Sequence, residues 1–199
     1  VVVWGNESYG GDSSSVSAGL TSGVVEIVGN NRAFAAIKYT GEVVSWGGYV
    51  TDTCCRMMTS VKMVVPSSES FAALNFDGTV ASWGNNITGG DSSVASPYLY
   101  GIRAITANSV SFAALSWDGE VFTWGEEENG GNSSLVKAQL KNVKEIYAPP
   151  FLPPFSDAVS HVFVAVTESG KAVAWGDADR GGGTTGVSNE LSEGVKKVF

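Results

Sequence analysis

The chain has 199 residues, of which 43% are hydrophobic, 16% are charged and 25 are glycine, which is typical of a globular protein with many tight turns. Its net charge of −8 disfavours nucleic acid as a direct partner and anionic membranes as a binding surface, because phosphate groups repel an acidic protein. No apolar run reaches the roughly 18 residues of a membrane-spanning helix, so we expect no transmembrane segment.

The dipeptide Trp-Gly recurs five times, with its tryptophans at Trp4, Trp46, Trp83, Trp124 and Trp175. Each of the last four follows a phenylalanine by 12 residues and a glycine by 5. The phenylalanines are Phe34, Phe71, Phe112 and Phe163, and the glycines are Gly41, Gly78, Gly119 and Gly170. Such regular spacing is the signature of a repeat architecture in which each unit packs on its neighbours.

Each complete unit contains three short segments rich in β-branched and aromatic residues. The first segments are residues 24–27, 61–64, 102–105 and 143–146, and the second are 34–37, 71–74, 112–115 and 163–166. The third segment runs from the glycine to the tryptophan of each unit. At four to six residues they are too short for helices, so the pattern predicts strands.

The pairs Thr40-Gly41, Asp77-Gly78, Asp118-Gly119 and Ser169-Gly170 separate the second and third segments. Such pairs tolerate the positive φ of a hairpin turn, and we expect a two-residue turn between antiparallel strands. In the second segment both alternate sets of residues are apolar, which predicts that both faces of the sheet are covered.

Small sheets buried on both faces and repeated about every 40 residues are typical of β-propeller blades. We therefore predict an all-β propeller with four complete blades, partial blades at both ends, and three short antiparallel strands per blade. The units are approximately 1–23 (partial), 24–60, 61–101, 102–142, 143–194 and 195–199 (partial). They form a single domain or a segment of a larger propeller, and we expect the chain to be part of a longer one.

The repeated tryptophans are interpreted as packing wedges between blades, with ligand stacking as the alternative. The segments that follow Trp-Gly, residues 10–14, 89–93, 130–134 and 181–185, are interpreted as turns. Calcium at Asp12 and Asp91 is the alternative there, but each loop has at most one carboxylate whereas calcium takes six to eight oxygen ligands. We expect no metal and no cofactor.

A unit that reads Asp-Gly-x-Val-x-x-Trp-Gly, then Gly-Gly-Asp, Val-x-x-Ile and Phe-Ala-Ala-Leu resembles the regulator of chromosome condensation repeat. The resemblance covers essentially the whole chain and implies a propeller, which has seven blades in that family. The short period is more similar to the propeller-type β-lactamase inhibitory protein of that superfamily, with three-stranded blades, than to the eukaryotic exchange factor. A histidine frequent in the family is replaced here by Ala33, Ser70, Ser111 and Val162, and His161 lies one position away.

Catalysis is not expected from this composition. One histidine and two adjacent cysteines, Cys54 and Cys55, provide no separated nucleophile and base and no metal-binding cluster. Two free thiols are the expected state, which favours a reducing compartment, with redox sensing as a lesser alternative. They belong to the connection 49–58, which replaces the Gly-Gly-Asp loop and is interpreted as filling the core rather than as a recognition surface.

Two segments are candidate partner-binding sites. The first is a ten-residue insertion at residues 148–157, in which four prolines stiffen the chain around Phe151, Leu152 and Phe155. These side chains either fold back over the blades or anchor another protein. The second is the acidic run Glu126, Glu127 and Glu128, for which the alternative is a solvated surface.

The function predicted from the sequence is that of a non-catalytic protein–protein interaction scaffold that binds through loop tips on the propeller rim. An accessory subunit of a larger assembly is one form that such a scaffold can take. One or more proteins are the expected partners. Two alternatives stay open. One is a guanine-nucleotide exchange module for a small GTPase, which only the family resemblance implies, and the other is a secreted inhibitor or adhesin.

Overall fold

The structure, a computed structural model, describes residues 1–50, 58–149, 161–183, 192 and 194–195. Twelve strands form four separate three-stranded antiparallel sheets. They are β1 (Val24–Gly29), β2 (Ala33–Lys38), β3 (Val43–Gly47), β4 (Val61–Pro66), β5 (Ser70–Asn75), β6 (Val80–Gly84), β7 (Ile102–Ala107), β8 (Ser111–Ser116), β9 (Val121–Gly125), β10 (Val143–Tyr147), β11 (Val162–Thr167) and β12 (Ala172–Gly176). The prediction of four complete three-stranded propeller blades is confirmed.

Within each blade the strands lie side by side in sequence order. Strand β1 contacts β4 of the next blade, and β4 contacts β7 of the blade after that. The first strands are therefore the innermost elements, and the third strands form the outer edges. The middle strands are largely buried. In β5 and β8 the burial is almost complete, because a neighbouring blade covers each of these two strands on both faces.

Short helical turns occupy the connections between blades. They are the 3₁₀ turns Glu7–Tyr9, Ser14–Leu20, Ser96–Tyr98, Glu127–Asn129, Ser134–Val136 and Ala178–Arg180, and the irregular turn Asn86–Gly90. The Asp12 carboxylate accepts a hydrogen bond from the Ser14 N–H at 2.8 Å, and Asp91 accepts one from Ser93 at 2.8 Å. These aspartates act as turn residues, because their oxygens already bind the local backbone. No helix among the described residues has the length and apolar character needed to cross a membrane.

The core consists of interfaces between blades. The buried side chains of Ala33, Ala35 and Ile37 from one blade pack with Phe71 and Trp83 of the next. Each phenylalanine also stacks on the tryptophan of its own blade, with ring centroids 5.2–5.4 Å apart in all four blades. Four tryptophans are 3% exposed, namely Trp46, Trp83, Trp124 and Trp175. The packing interpretation accounts for these four residues.

Trp4 does not share this environment and is 84% exposed. The interpretation of Trp4 as a packed repeat tryptophan is therefore wrong for this structure. Every buried repeat tryptophan stacks on the phenylalanine of its own blade, whereas Trp4 stacks on no aromatic ring among the described residues.

Hydrogen bonds from the indole groups give a reason for the repetition of the Gly-Gly loop that follows Trp-Gly in several units of this chain. The indole N–H of Trp46 donates to the Gly10 carbonyl at 3.0 Å, and that of Trp124 donates to Gly89 at 3.1 Å. Trp175 donates to Gly130 in the same way, at 3.1 Å. These loops therefore supply buried acceptors to the core in addition to reversing the chain.

Trp83 is the exception, because its buried indole N–H has no acceptor among the described residues. Its blade follows the connection at residues 49–58, where the Gly-Gly loop is missing. Val50 and the buried Met58 pack against the core there, so for Met58 the core-filling interpretation is confirmed. Cys54 and Cys55 lie outside the described residues.

The hairpins between second and third strands have three-residue loops, not the two-residue turns that we expected. The Gly41 N–H donates to the Lys38 carbonyl at 2.8 Å, and the Lys38 N–H donates to the Glu42 carbonyl at 2.9 Å. The other three hairpins repeat both bonds. Gly41 has a φ of 80°, so the loop is a turn closed by a left-handed glycine, which adds one residue.

The hairpin glycines also join each blade to the next. The N–H of Val61 donates to the Gly41 carbonyl at 3.0 Å, and the equivalent bond in the last described turn runs from Val195 to Gly170 at 2.9 Å. Each blade has two ends, here called the turn face and the loop face. The turn face is the end that carries residues 39–41, 76–78, 117–119 and 168–170, and the loop face is the opposite end, where first strands end and third strands exit.

Candidate interaction surfaces

Three large aromatic side chains project from the turn face. Tyr39 is 77% exposed, Phe76 is 72% exposed and Trp117 is 75% exposed. Each is the residue that directly follows the second strand of its blade. Because the three blades are consecutive, these residues, here called the aromatic row, occupy the same position in neighbouring units.

The backbone holds the aromatic row in place. The N–H of Tyr39 donates to the Gly23 carbonyl at 2.9 Å, and Phe76 and Trp117 make the same bond to the residue before the first strand of their blades. The hairpin needs only a glycine at its third loop position and no aromatic residue at its first. A single exposed apolar residue needs no explanation, but an aligned set does.

The fourth blade carries Glu168 where the others carry an aromatic residue. Its N–H makes the equivalent bond to the Asn142 carbonyl at 2.9 Å, and the side chain is exposed. Trp117 and Glu168 line one groove of about 810 Å³ between the third and fourth blades, together with Arg103 and Lys144. Equivalent positions of adjacent blades therefore face a common space.

Carboxylates follow two members of the aromatic row. Asp77 comes directly after Phe76, and Asp118 comes directly after Trp117. The Asp77 carboxylate accepts hydrogen bonds from the Thr79 hydroxyl at 2.7 Å and from the Thr79 N–H at 2.9 Å. These bonds, the hydroxyl first, lower the pKa of Asp77 below its usual value, so its charge is retained at neutral pH.

Basic residues lie on the inner side of the same end of the propeller. Lys62, Arg103 and Lys144 are the second residues of the first strands β4, β7 and β10. The Arg103 guanidinium donates to the Ser116 carbonyl at 3.3 Å and also to the Lys144 carbonyl. Arg103 thereby links two blades through backbone acceptors.

The loop face has a different cluster, in which Arg32 lies between two tyrosines. The guanidinium carbon is 5.1 Å from the Tyr9 ring centroid and 5.6 Å from that of Tyr49. Its Nε is 2.7 Å from a Glu69 oxygen, and the second Glu69 oxygen accepts a hydrogen bond from the Asn85 amide at 2.7 Å. Hydrogen bonding and charge attraction from Glu69 raise the pKa of Arg32. The cluster ties the first blade to the second.

The acidic run predicted as a partner site also lies at the loop face. Glu126 is half-buried, and its carbonyl accepts a hydrogen bond from the Ser111 hydroxyl at 3.1 Å. Glu127 and Glu128 are exposed in the 3₁₀ turn that follows. The structure thus divides the run into one residue with a backbone role and two that are available to solvent.

The other predicted partner site, Phe151, Leu152 and Phe155, lies outside the described residues. The strands on either side of the insertion, β10 and β11, end and begin at the loop face. The acidic run does not lie on the turn face, and sequence analysis did not identify the aromatic row. The signal was present, because an aromatic residue precedes the Thr-Gly or Asp-Gly pair in three of four units.

Comparisons with known proteins identify the fold of the chain, and they do so only through solved structures. No protein-family model matches the chain. No curated protein matches it either.

Among solved structures, the CRINKLY WD40 ectodomain of the Arabidopsis thaliana receptor kinase ACR4 is similar with a TM-score of 0.51 and 17% identity, over 76% of this chain and 55% of that one. Prp20p of Saccharomyces cerevisiae, described with its binding to Gsp1p and histones, is similar with a TM-score of 0.50 and 19% identity, over 88% of this chain and 51% of that one. Yeast RCC1 (Prp20) bound to Kap60 gives a TM-score of 0.50 and 19% identity, over 88% and 49%. The chain spans about half the length of these structures, and the likeness identifies an RCC1-like β-propeller fold.

Proposed function

We propose that the chain is a non-catalytic propeller that binds other proteins, as a scaffold within a larger assembly, and that the turn face is its main binding surface. The observation that carries the proposal is the aromatic row of Tyr39, Phe76 and Trp117, each more than 70% exposed on consecutive blades. Aromatic side chains supply much of the binding energy of protein interfaces at little entropic cost, because they have few rotatable bonds.

The rigidity of the surface supports this function. The backbone of each aromatic residue is hydrogen-bonded within its own blade, and the glycine of each turn accepts a bond from the next blade. A partner would therefore meet residues that are already positioned, which reduces the ordering cost of association.

The chemistry of the groove between the third and fourth blades supports a non-catalytic role. Its lining residues include no histidine and no cysteine. The hydroxyl of Thr106, which also lines it, donates to the Ile146 carbonyl at 3.3 Å. A hydroxyl whose proton is donated to a backbone carbonyl, and not to a side-chain base, is a poor nucleophile.

The test is quantitative affinity purification with a variant that combines Tyr39→Ser, Phe76→Ser and Trp117→Ser. The matched control combines Val94→Ser and Leu135→Ser, because these apolar residues are 88% and 97% exposed on connections between blades. We expect partners of the wild-type protein to be recovered at least about tenfold less with the row variant, and equally with the control. Equal recovery with the row variant would refute the proposed surface, provided that circular dichroism shows both variants folded.

The insertion is proposed as a second partner surface, because Phe151, Leu152 and Phe155 are apolar residues held among four prolines. Replacing all three with serine should weaken association without unfolding the blades. Unchanged binding in the same purification would remove the insertion from consideration.

A guanine-nucleotide exchange activity is the alternative function. Its support is the fold likeness to Prp20p, whose structure is described with binding to Gsp1p, and fold likeness does not establish function. Nucleotide release from a panel of small GTPases distinguishes the two, because a scaffold does not accelerate release.

A further inference from the structure

We propose that the turn face recognises positively charged side chains, so that its partner presents a segment bearing lysine or arginine whose cations contact the aromatic row and Glu168. The inference rests on the proposed function, because it names the partner chemistry of the same surface.

The first argument comes from the four equivalent positions. They hold Tyr39, Phe76, Trp117 and Glu168. An aromatic ring face attracts a cation through its quadrupole, and a carboxylate attracts one through its charge. A surface for purely apolar contact would not place a glutamate at this position, and a surface for anions would be repelled by it. A cation is the class of ligand that all four residues attract.

The second argument comes from the residues beside the row. Asp77 and Asp118 each follow an aromatic residue on the same turn, and both are exposed. Thr79 fixes the Asp77 carboxylate through two hydrogen bonds. A guanidinium or ammonium group on the Phe76 or Trp117 ring would therefore have a carboxylate within the same three-residue loop.

The basic residues of this end of the propeller lie on or beside the strands, and two of them, Arg103 and Lys144, line the groove that Trp117 and Glu168 share. The four turn segments contain no lysine or arginine. At the edge of the turns, Lys38 is 3.3 Å from Glu42, and the Lys171 ammonium donates to the Gln139 amide oxygen at 2.8 Å. Lys141 is exposed before β10, and Lys62, Arg103 and Lys144 lie on the inner strands. A segment that lies along the turn tips meets aromatic rings and carboxylates.

The same charges argue against nucleic acid as the ligand of the aromatic row. Bases can stack on exposed aromatic rings, but binding of single strands needs cations along the phosphate backbone. Here Asp77 and Asp118 directly follow two of the rings in the sequence, and Glu168 holds the equivalent position of the fourth blade. These carboxylates repel phosphates.

The experiment measures fluorescence anisotropy of three labelled peptides at low salt. One peptide alternates arginine with glycine, and the matched peptides carry glutamine or glutamate in place of arginine. We expect the arginine peptide alone to bind and its affinity to fall as salt is raised. The variant Phe76→Leu/Trp117→Leu keeps apolar side chains but loses the ring faces, and it should bind about two- to fivefold more weakly per ring.

Charge variants separate this site from general attraction to an acidic protein. Asp77→Asn/Asp118→Asn removes two charges from the turn face, and Glu127→Gln/Glu128→Gln removes two from the loop face. We expect weaker peptide binding only in the first variant.

Three results would overturn the inference. They are equal weakening by both charge variants, equal binding of the glutamine peptide, and absence of arginine-peptide binding. Competition by a single-stranded oligonucleotide that binds the row more tightly than the arginine peptide would also overturn it. None of these results removes the proposed function, which stands or falls with the serine variant in affinity purification.

Discussion

The clearest stability prediction compares Trp124→Phe with Trp83→Phe. Both tryptophans are 3% exposed, and both stack on a phenylalanine at a centroid distance of 5.3 Å. The loss of ring area and of packing is therefore nearly the same in the two variants. Their hydrogen bonding differs, because the Trp124 indole donates to Gly89 at 3.1 Å whereas Trp83 has no acceptor among the described residues.

This difference sets the expected magnitude. Trp124→Phe leaves the carbonyl of the buried Gly89 without its indole donor, which costs about 1–3 kcal/mol. Trp83→Phe removes a buried donor that has no acceptor among the described residues, so the variant relieves the desolvation penalty of that donor. We expect Trp124→Phe to lower the free energy of unfolding by about 1–3 kcal/mol more than Trp83→Phe does.

Urea unfolding monitored by far-ultraviolet circular dichroism measures this difference without relying on tryptophan fluorescence. Trp175→Phe provides an internal check, because its indole donates to Gly130 at 3.1 Å and it should behave like Trp124→Phe. Equal destabilisation by Trp83→Phe and Trp124→Phe, or a larger effect of Trp83→Phe, would refute the reasoning.

Two further predictions concern a glycine and a carboxylate. Gly130→Ala should destabilise the fold by about 2–5 kcal/mol, because Gly130 has a φ of 102° and an added Cβ would lie 2.8 Å from the Phe163 ring. The control is Gly101→Ala, where φ is 63° but no atom lies within 4 Å of the added Cβ. In urea unfolding this control should show only the cost of the left-handed backbone conformation. Asp77→Asn should lower the free energy of unfolding at pH 7, where the ionised wild-type carboxylate, with its depressed pKa, stabilises the fold. The difference in stability between wild type and variant should disappear as the pH falls below about 4, because protonation of the carboxylate removes its stabilising contribution. A stability difference that grows in acid would contradict the assignment.

Much of the architecture was predictable because its signals are local. The Trp–Phe spacing of 12 residues places both rings at paired positions of adjacent strands, as in the register of Phe34 with Trp46. The glycine at each turn needs a positive φ, which marks the hairpin regardless of its surroundings. The loop length was predicted one residue too short, because a pair such as Thr40-Gly41 fits both a two-residue turn and the end of a three-residue turn.

The candidate site was harder to predict because exposure depends on contacts between distant residues. Phe71 is the second residue of β5 and Phe76 directly follows that strand, yet Phe76 is 72% exposed and Phe71 is 0% exposed. Only the packing of the preceding blade against Phe71 separates them. Sequence analysis instead favoured the acidic run Glu126, Glu127 and Glu128 and the insertion, because a run of charges and an insertion into a repeat are visible without coordinates.

The sequence by itself determined the repeat, the three strands of each blade and the tryptophan–phenylalanine pairing, since each depends on spacings of a few residues. The tertiary structure alone decided that first strands are innermost, that the indole groups bind glycine carbonyls 35 to 45 residues away, and that Tyr39, Phe76 and Trp117 emerge on one face. The physical reason is that burial and hydrogen-bond satisfaction in a propeller arise between blades, whereas strand and turn formation arise within them.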